Sequence, residues 1–203
     1  MKKVSSVLMV AIICIACACN NNKPPDSVEN AKGANDINDT ANTEPYDIIN
    51  DSTAAMAILP VDKDAANFAV EVVNGGMMEI ELGNYAQQNA ADKRVKDFGA
   101  MMVKDHTTAN EELQSIASAK NITLPASMGN DTKKEIEKLM KKTGKDFDKA
   151  YMNMMIDDHK KDVKEFEKNA QECKDLEIKN FIIKTLPVLQ GHLNDAKAIT
   201  GKN

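Results

Sequence analysis

The stretch Val95-Lys96-Asp97-Phe98-Gly99-Ala100-Met101-Met102-Val103-Lys104-Asp105-His106-Thr107-Thr108-Ala109-Asn110-Glu111-Glu112-Leu113-Gln114-Ser115-Ile116 decides the fold. Val95, Phe98, Met102, His106, Ala109, Leu113 and Ile116 follow one another in steps of three and four. That spacing places them on one helix face, with lysine, aspartate and glutamate on the other. Only His106 is ionisable among them, and it stands near the helix middle.

The same pattern recurs three times. A first long helix, about Asp64 to Ala91, carries Ala65, Phe68, Val72, Gly76, Glu79, Leu82/Gly83, Ala86 and Ala90. The quoted stretch belongs to the second, opened by Asp92 as an N-cap and running to about Lys120. A third, about Asp146 to Cys173, carries Phe147, Tyr151, Met155, His159, Val163, Phe166, Ala170 and Cys173. A fourth, about Asp175 to Thr200, carries Ile178, Ile182, Thr185, Leu189, His192, Ala196 and Ile199. Pro187 inside it removes one backbone hydrogen bond and is expected to kink it. Between the second and third helices, Asn121 to Asn130 reads as a loop, followed by a short helix from about Asp131 to Lys142 that ends at Gly144. No period-two strand pattern is present. The expected architecture is all-α: an antiparallel four-helix bundle with short first and last connections and a long crossover containing the short helix, as in ferritin-like folds. It occupies residues 61–203, enough chain for one core.

The N-terminus is of another kind. Met1-Lys2-Lys3 precedes an uncharged run from Val4 to Ala18, which reads as a secretory signal and is too short to span a membrane, for which about 20 apolar residues are needed. Ala18-Cys19-Asn20 resembles the lipobox of bacterial lipoproteins; Cys17, after Ala16, is the alternative. That resemblance implies removal of residues 1–18, lipidation of the cysteine, and a soluble domain anchored to a membrane of the cell envelope, in the outer membrane or on the periplasmic face. Residues 19–60 are rich in Asn, Asp, Thr, Ala and Pro and are expected to form a disordered tether, because they bury too little surface to offset ordering entropy. Of four cysteines only Cys173 lies beyond the signal region, so the folded part holds no intramolecular disulfide.

Composition excludes some classes. The formal net charge is −5, and loss of Lys2 and Lys3 with the signal makes it two units more negative. An acidic chain with a single arginine, Arg94, and no Trp is a poor nucleic-acid binder. Lysine- and glutamate-rich runs such as 133–142 and 160–168 read as solvated helix faces. No Ser-His-Asp arrangement, phosphate loop or paired-carboxylate signature is present, so no catalytic residue is assigned. The protein partner is left open.

Glu79, His106, His159 and His192 each interrupt an apolar stripe, one per helix, and the three histidines are the chain's only ones. Helix middles share a level in an antiparallel bundle, so the four are expected to converge. Two readings follow. One is a transition-metal site, since imidazole suits zinc, copper and iron and a carboxylate adds a hard oxygen. The other is a metal-free polar layer in which the groups hydrogen-bond one another and fix helix register. The di-iron pattern needs Glu-x-x-His pairs, and Val103 and Leu189 stand where those glutamates belong, so the metal reading favours a mononuclear site. Met102 and Met155 each precede a histidine by four residues and would add soft donors favouring copper; alternatively they are core filler. Asp105 and Asp158 adjoin two of the histidines as outer-shell or additional ligands. Ring nitrogens within about 5 Å of a common point would favour the metal reading, and scatter would exclude it.

Several stretches together resemble the domain of unknown function 4142 family: 76–83, 95–98 with 102–106, Leu124-Pro125, 147–151, 155–159 and 186–193. The resemblance covers about Val61 to Thr200. It implies a ferritin-like bundle in an exported or lipid-anchored bacterial protein, and it implies no activity.

Overall fold

The computed structural model describes residues 26–41 and 61–202. Six helices follow in order: α1 (Ser27–Ala41), α2 (Lys63–Asn89), α3 (Lys93–Ala119), α4 (Asn130–Met140), α5 (Gly144–Glu172) and α6 (Leu176–Thr200), with no strand among the described residues. None of these helices is long and apolar enough to cross a membrane. The signal segment, Cys17 and Cys19 lie outside the described residues, as do 42–60.

Aspartates set the helix starts. Asp62 accepts a hydrogen bond from the amide of Ala65, Asp92 from Arg94, and Asp175 from Glu177 and Ile178. Each takes up amides that a helix N-terminus leaves without an internal partner. The sequence places Gly144 at the end of the short helix, but α4 ends at Met140 with Lys141 as its C-cap. Gly144 opens α5 with φ of 55°, a left-handed value suited to glycine. α6 continues through Pro187, which lies on an exposed face beside Val188, where water can serve the backbone carbonyl that loses its donor.

The long helices lie side by side, and contacting residues show their sense. Phe68 meets Phe166 while Tyr85 meets Phe147, so α2 and α5 run oppositely. Glu112 pairs with Lys184 and Asp105 with His192, so α3 and α6 do too. α2 and α3 come closest at Gly83 and Gly99: a Cβ on Gly83 would stand 2.6 Å from the Gly99 carbonyl oxygen. Only residues without side chains allow that approach. α3 and α5 run in the same direction, which is why the connection bearing α4 must return along the molecule.

The core is in two parts. One gathers Leu82, Phe98, Met102, Phe147, Tyr151 and Met155; the other gathers Phe68, Val73, Leu113, Phe166, Phe181 and Leu189. On α3, α5 and α6 the break between them falls at the histidine, and on α2 it falls between Val73 and Met78, just before Glu79.

The expected tether is corrected over part of its length. Residues 27–41 form α1, which docks on α2. Its apolar contact is small, Val28 and Ala31 against Val70. Polar bonds add to it. The Asn35 side chain donates to the Thr123 carbonyl at 3.1 Å and accepts from the Thr123 amide at 2.8 Å. Asp26 accepts from the amides of Val28 and Asn130. Counting apolar residues overlooked these bonds, which tie α1 to the crossover 88 and more residues away. The folded unit therefore includes a segment before residue 61.

Candidate metal centre

Glu79 on α2, His106 on α3, His159 on α5 and His192 on α6 meet between the two apolar clusters, all at most 7% exposed. Ring centroids of the three histidines are 5.3–5.7 Å apart. One nitrogen from each ring lies within 4.8 Å of the other two. Glu79 does not complete that set. It groups instead with His159 and Asp162, again with ligand atoms within 4.8 Å.

Each ring has a defined neighbour. Nδ1 of His159 is 3.0 Å from the Met155 carbonyl, a bond available because residues four apart in a helix are stacked. Nε2 of His159 is 3.2 Å from Nδ1 of His192. Nε2 of His192 is 3.0 Å from Asp105 Oδ2. Nδ1 of His106 stands 2.8 Å from Glu79 Oε2. Within the four residues of the layer, two buried atoms have no hydrogen-bonding partner: His106 Nε2 and Glu79 Oε1. Glu79 Oε1 is 3.4 Å from His159 Nδ1, but that ring nitrogen is directed at the Met155 carbonyl.

Burial governs the charge states. It pushes His106 and His159 down to about 4, against the upward pull of Asp162 and Asp105 on the first and of Glu79 on the second. Burial also lowers His192, although Asp105 opposes this. The rings are therefore neutral at pH 7, the form that binds metals. Burial raises Glu79, opposed by His159 and reinforced by Asp158. It raises Asp162 as well, with Glu79 and Asp158 adding to the effect.

The other expected participants fall in different places. Asp105 contacts Nε2 of His192 from outside the ring set. Asp158 lies on the neighbouring face, its Oδ1 3.4 Å from Lys161 and its buried Oδ2 without a partner. Met102 and Met155 are fully buried in the apolar cluster on one side of the layer. Asp162 escaped the reading of the sequence. It follows His159 by three residues and so shares its face, whereas the Glu-x-x-His pattern places the carboxylate before the histidine. Asp148 escaped too: it is 8% exposed and accepts from the amides of Ala91 and Asp92 at 2.9 and 2.8 Å, clamping the α2–α3 turn.

A cleft of about 630 Å³ runs between α2 and α5 and reaches the layer. Glu79, His106, Asp158 and Asp162 line it, with Asp64 and Glu172 farther out. Its predominance of carboxylates attracts cations, since low-dielectric walls focus the field of like charges.

No curated protein and no solved structure matches the chain. The sequence model of one family, described as a domain of unknown function (DUF4142), matches residues 50–199. These residues include all six helices' worth of core except α1, together with every member of the layer, and the chain belongs to the DUF4142 family.

Proposed function

We propose that the chain is a four-helix bundle of the ferritin-like kind, held to the cell envelope by a lipid on Cys19, that binds a transition-metal ion through His106, His159 and His192 in metal handling or stress defence. One observation carries the metal reading. The contacts from the Met155 carbonyl through His159 and His192 to Asp105 number three, and each needs a proton. Two neutral imidazoles supply only two. With His159 donating from Nδ1 to the carbonyl and His192 from Nε2 to the carboxylate, the middle contact sets two lone pairs 3.2 Å apart. A metal ion resolves this. Bonds of about 2.0–2.1 Å at the tetrahedral angle put ligand nitrogens about 3.3 Å apart. The outer bonds are those a ligating histidine makes to a backbone carbonyl or carboxylate. His106 Nε2, buried and unpartnered, is the third donor. Glu79 braces the other nitrogen of that ring, so it serves as an outer partner here. Three imidazoles leave a fourth position for water or a small ligand, and they suit zinc, copper or iron.

The metal-free reading places the missing proton on an imidazolium or on Asp105. Titration of the purified full-length chain with zinc, copper and iron, followed by elemental analysis, separates the two. Near-stoichiometric metal that disappears in a His106→Ala/His159→Ala double variant supports the site. Absence of metal from the wild type, with the double variant less stable, assigns the layer to fixing helix register.

A further inference from the structure

Among the described residues, neither Glu79 nor Asp162 forms an ion pair with a lysine or arginine. Glu79, 2% exposed, directs an unpartnered Oε1 toward the space it shares with Asp162. Asp158 adds a second buried, unpartnered oxygen to the same cleft. Lys161 is an exposed side chain that reaches Oδ1 of Asp158 at 3.4 Å. A buried carboxylate keeps its charge only beside a partner, and a bound metal ion is one such partner.

We propose that Glu79 and Asp162 form a second cation site, beside the three-histidine site and opening on the cleft, that takes a hard divalent ion such as Mn²⁺ or Mg²⁺. The donor set decides the class. The Nδ1–H of His159 is committed to the Met155 carbonyl, so the lone pairs left to this ion are carboxylate oxygens. Such ions are commonly held by one or two carboxylates and complete their coordination with water, which the 630 Å³ cleft admits. Glu79 then serves both positions, its Oε2 bracing His106 and its Oε1 ligating the second ion. This proposal shares Glu79 with the metal site above, but Asp162 belongs to it alone.

The test titrates Mn²⁺ into the full-length chain, zinc-free and zinc-loaded, and follows loss of the free-ion signal by electron paramagnetic resonance. The expected result is one Mn²⁺ per chain in the wild type beside bound zinc. The near-isosteric Asp162→Asn should weaken Mn²⁺ at least tenfold and leave zinc affinity unchanged, while His106→Ala/His192→Ala loses zinc and keeps Mn²⁺. A wild-type chain that takes zinc but no Mn²⁺ overturns the second site and leaves the first standing. Asp162→Asn binding Mn²⁺ as the wild type does, or losing zinc and Mn²⁺ together, also overturns it. A chain that takes none of zinc, copper and iron refutes the histidine site, and its Mn²⁺ titration with and without Asp162 still decides the carboxylate site.

Discussion

Nε2 of His159 lies 3.2 Å from Nδ1 of His192, and each ring has already committed its other nitrogen, one to a backbone carbonyl and one to Asp105. This arrangement fixes opposite tautomers on the two rings once an ion takes the middle position. In the zinc-loaded chain, long-range proton–nitrogen correlation spectra should show His159 protonated at Nδ1 and His192 at Nε2. Both rings protonated at the same nitrogen type would refute the assignment.

In the proposed site Asp105 would act on the ion through His192, from which it is separated by 3.0 Å. Asp105→Asn preserves shape but weakens the hold on the ring. Zinc affinity measured by calorimetry should fall about 10- to 100-fold, as for outer partners of ligating histidines. The helical circular-dichroism signal should be unchanged, and an unaltered affinity would remove Asp105 from the site.

Gly99 tests the closeness of α2 and α3. A Cβ there would meet the Gly83 carbonyl oxygen at 2.8 Å and the Ala86 Cβ at 3.0 Å. Backbone atoms cannot swing aside as a side chain can, so Gly99→Ala should destabilise the chain by about 1–3 kcal/mol in urea unfolding. Gly191, with nothing within 4 Å of its Cβ direction, is the control: Gly191→Ala should be neutral or stabilising.

Asp175 predicts an acid-sensitive contribution to stability. Burial would raise its carboxyl, but the Lys120 ammonium 2.8 Å away and the amides of Ile178 and Glu177 outweigh that and lower it. A folded-state value below the unfolded one stabilises the chain above the unfolded value of about 3.9 and is lost as pH falls through the folded value. Asp175→Asn should therefore lower Tm most near neutrality, with the gap from wild type closing below about pH 4. A gap that is constant with pH would assign the effect to the uncharged cap alone.

Asn35 tests the docking of α1. Its two bonds to Thr123 are the reciprocal pair an amide side chain can make with one peptide. Asn35→Leu should speed amide hydrogen exchange in residues 27–36 while leaving α2, α3, α5 and α6 protected. Equal exchange in variant and wild type would show that Val28 and Ala31 suffice to hold the helix.

The chain's local chemistry determined most of its helices and the residues of the histidine layer. Asp62, Asp92 and Asp175 are short acceptors placed where helix amides lack partners, and the steps of three and four set the buried faces. His106, His159 and His192 were legible because each stands on such a face, where burying an ionisable ring is costly. Tertiary structure decided what depends on partners distant in sequence. α1 follows from bonds to Thr123 and Asn130, invisible in a polar segment read by itself, and Asp148 became a clamp because α5 brings it to the α2–α3 turn. Asp162 joined Glu79 only when α2 and α5 faced each other. The placement of ring protons also belongs to tertiary structure, since it depends on which acceptors surround each ring, and a one-dimensional pattern does not specify them.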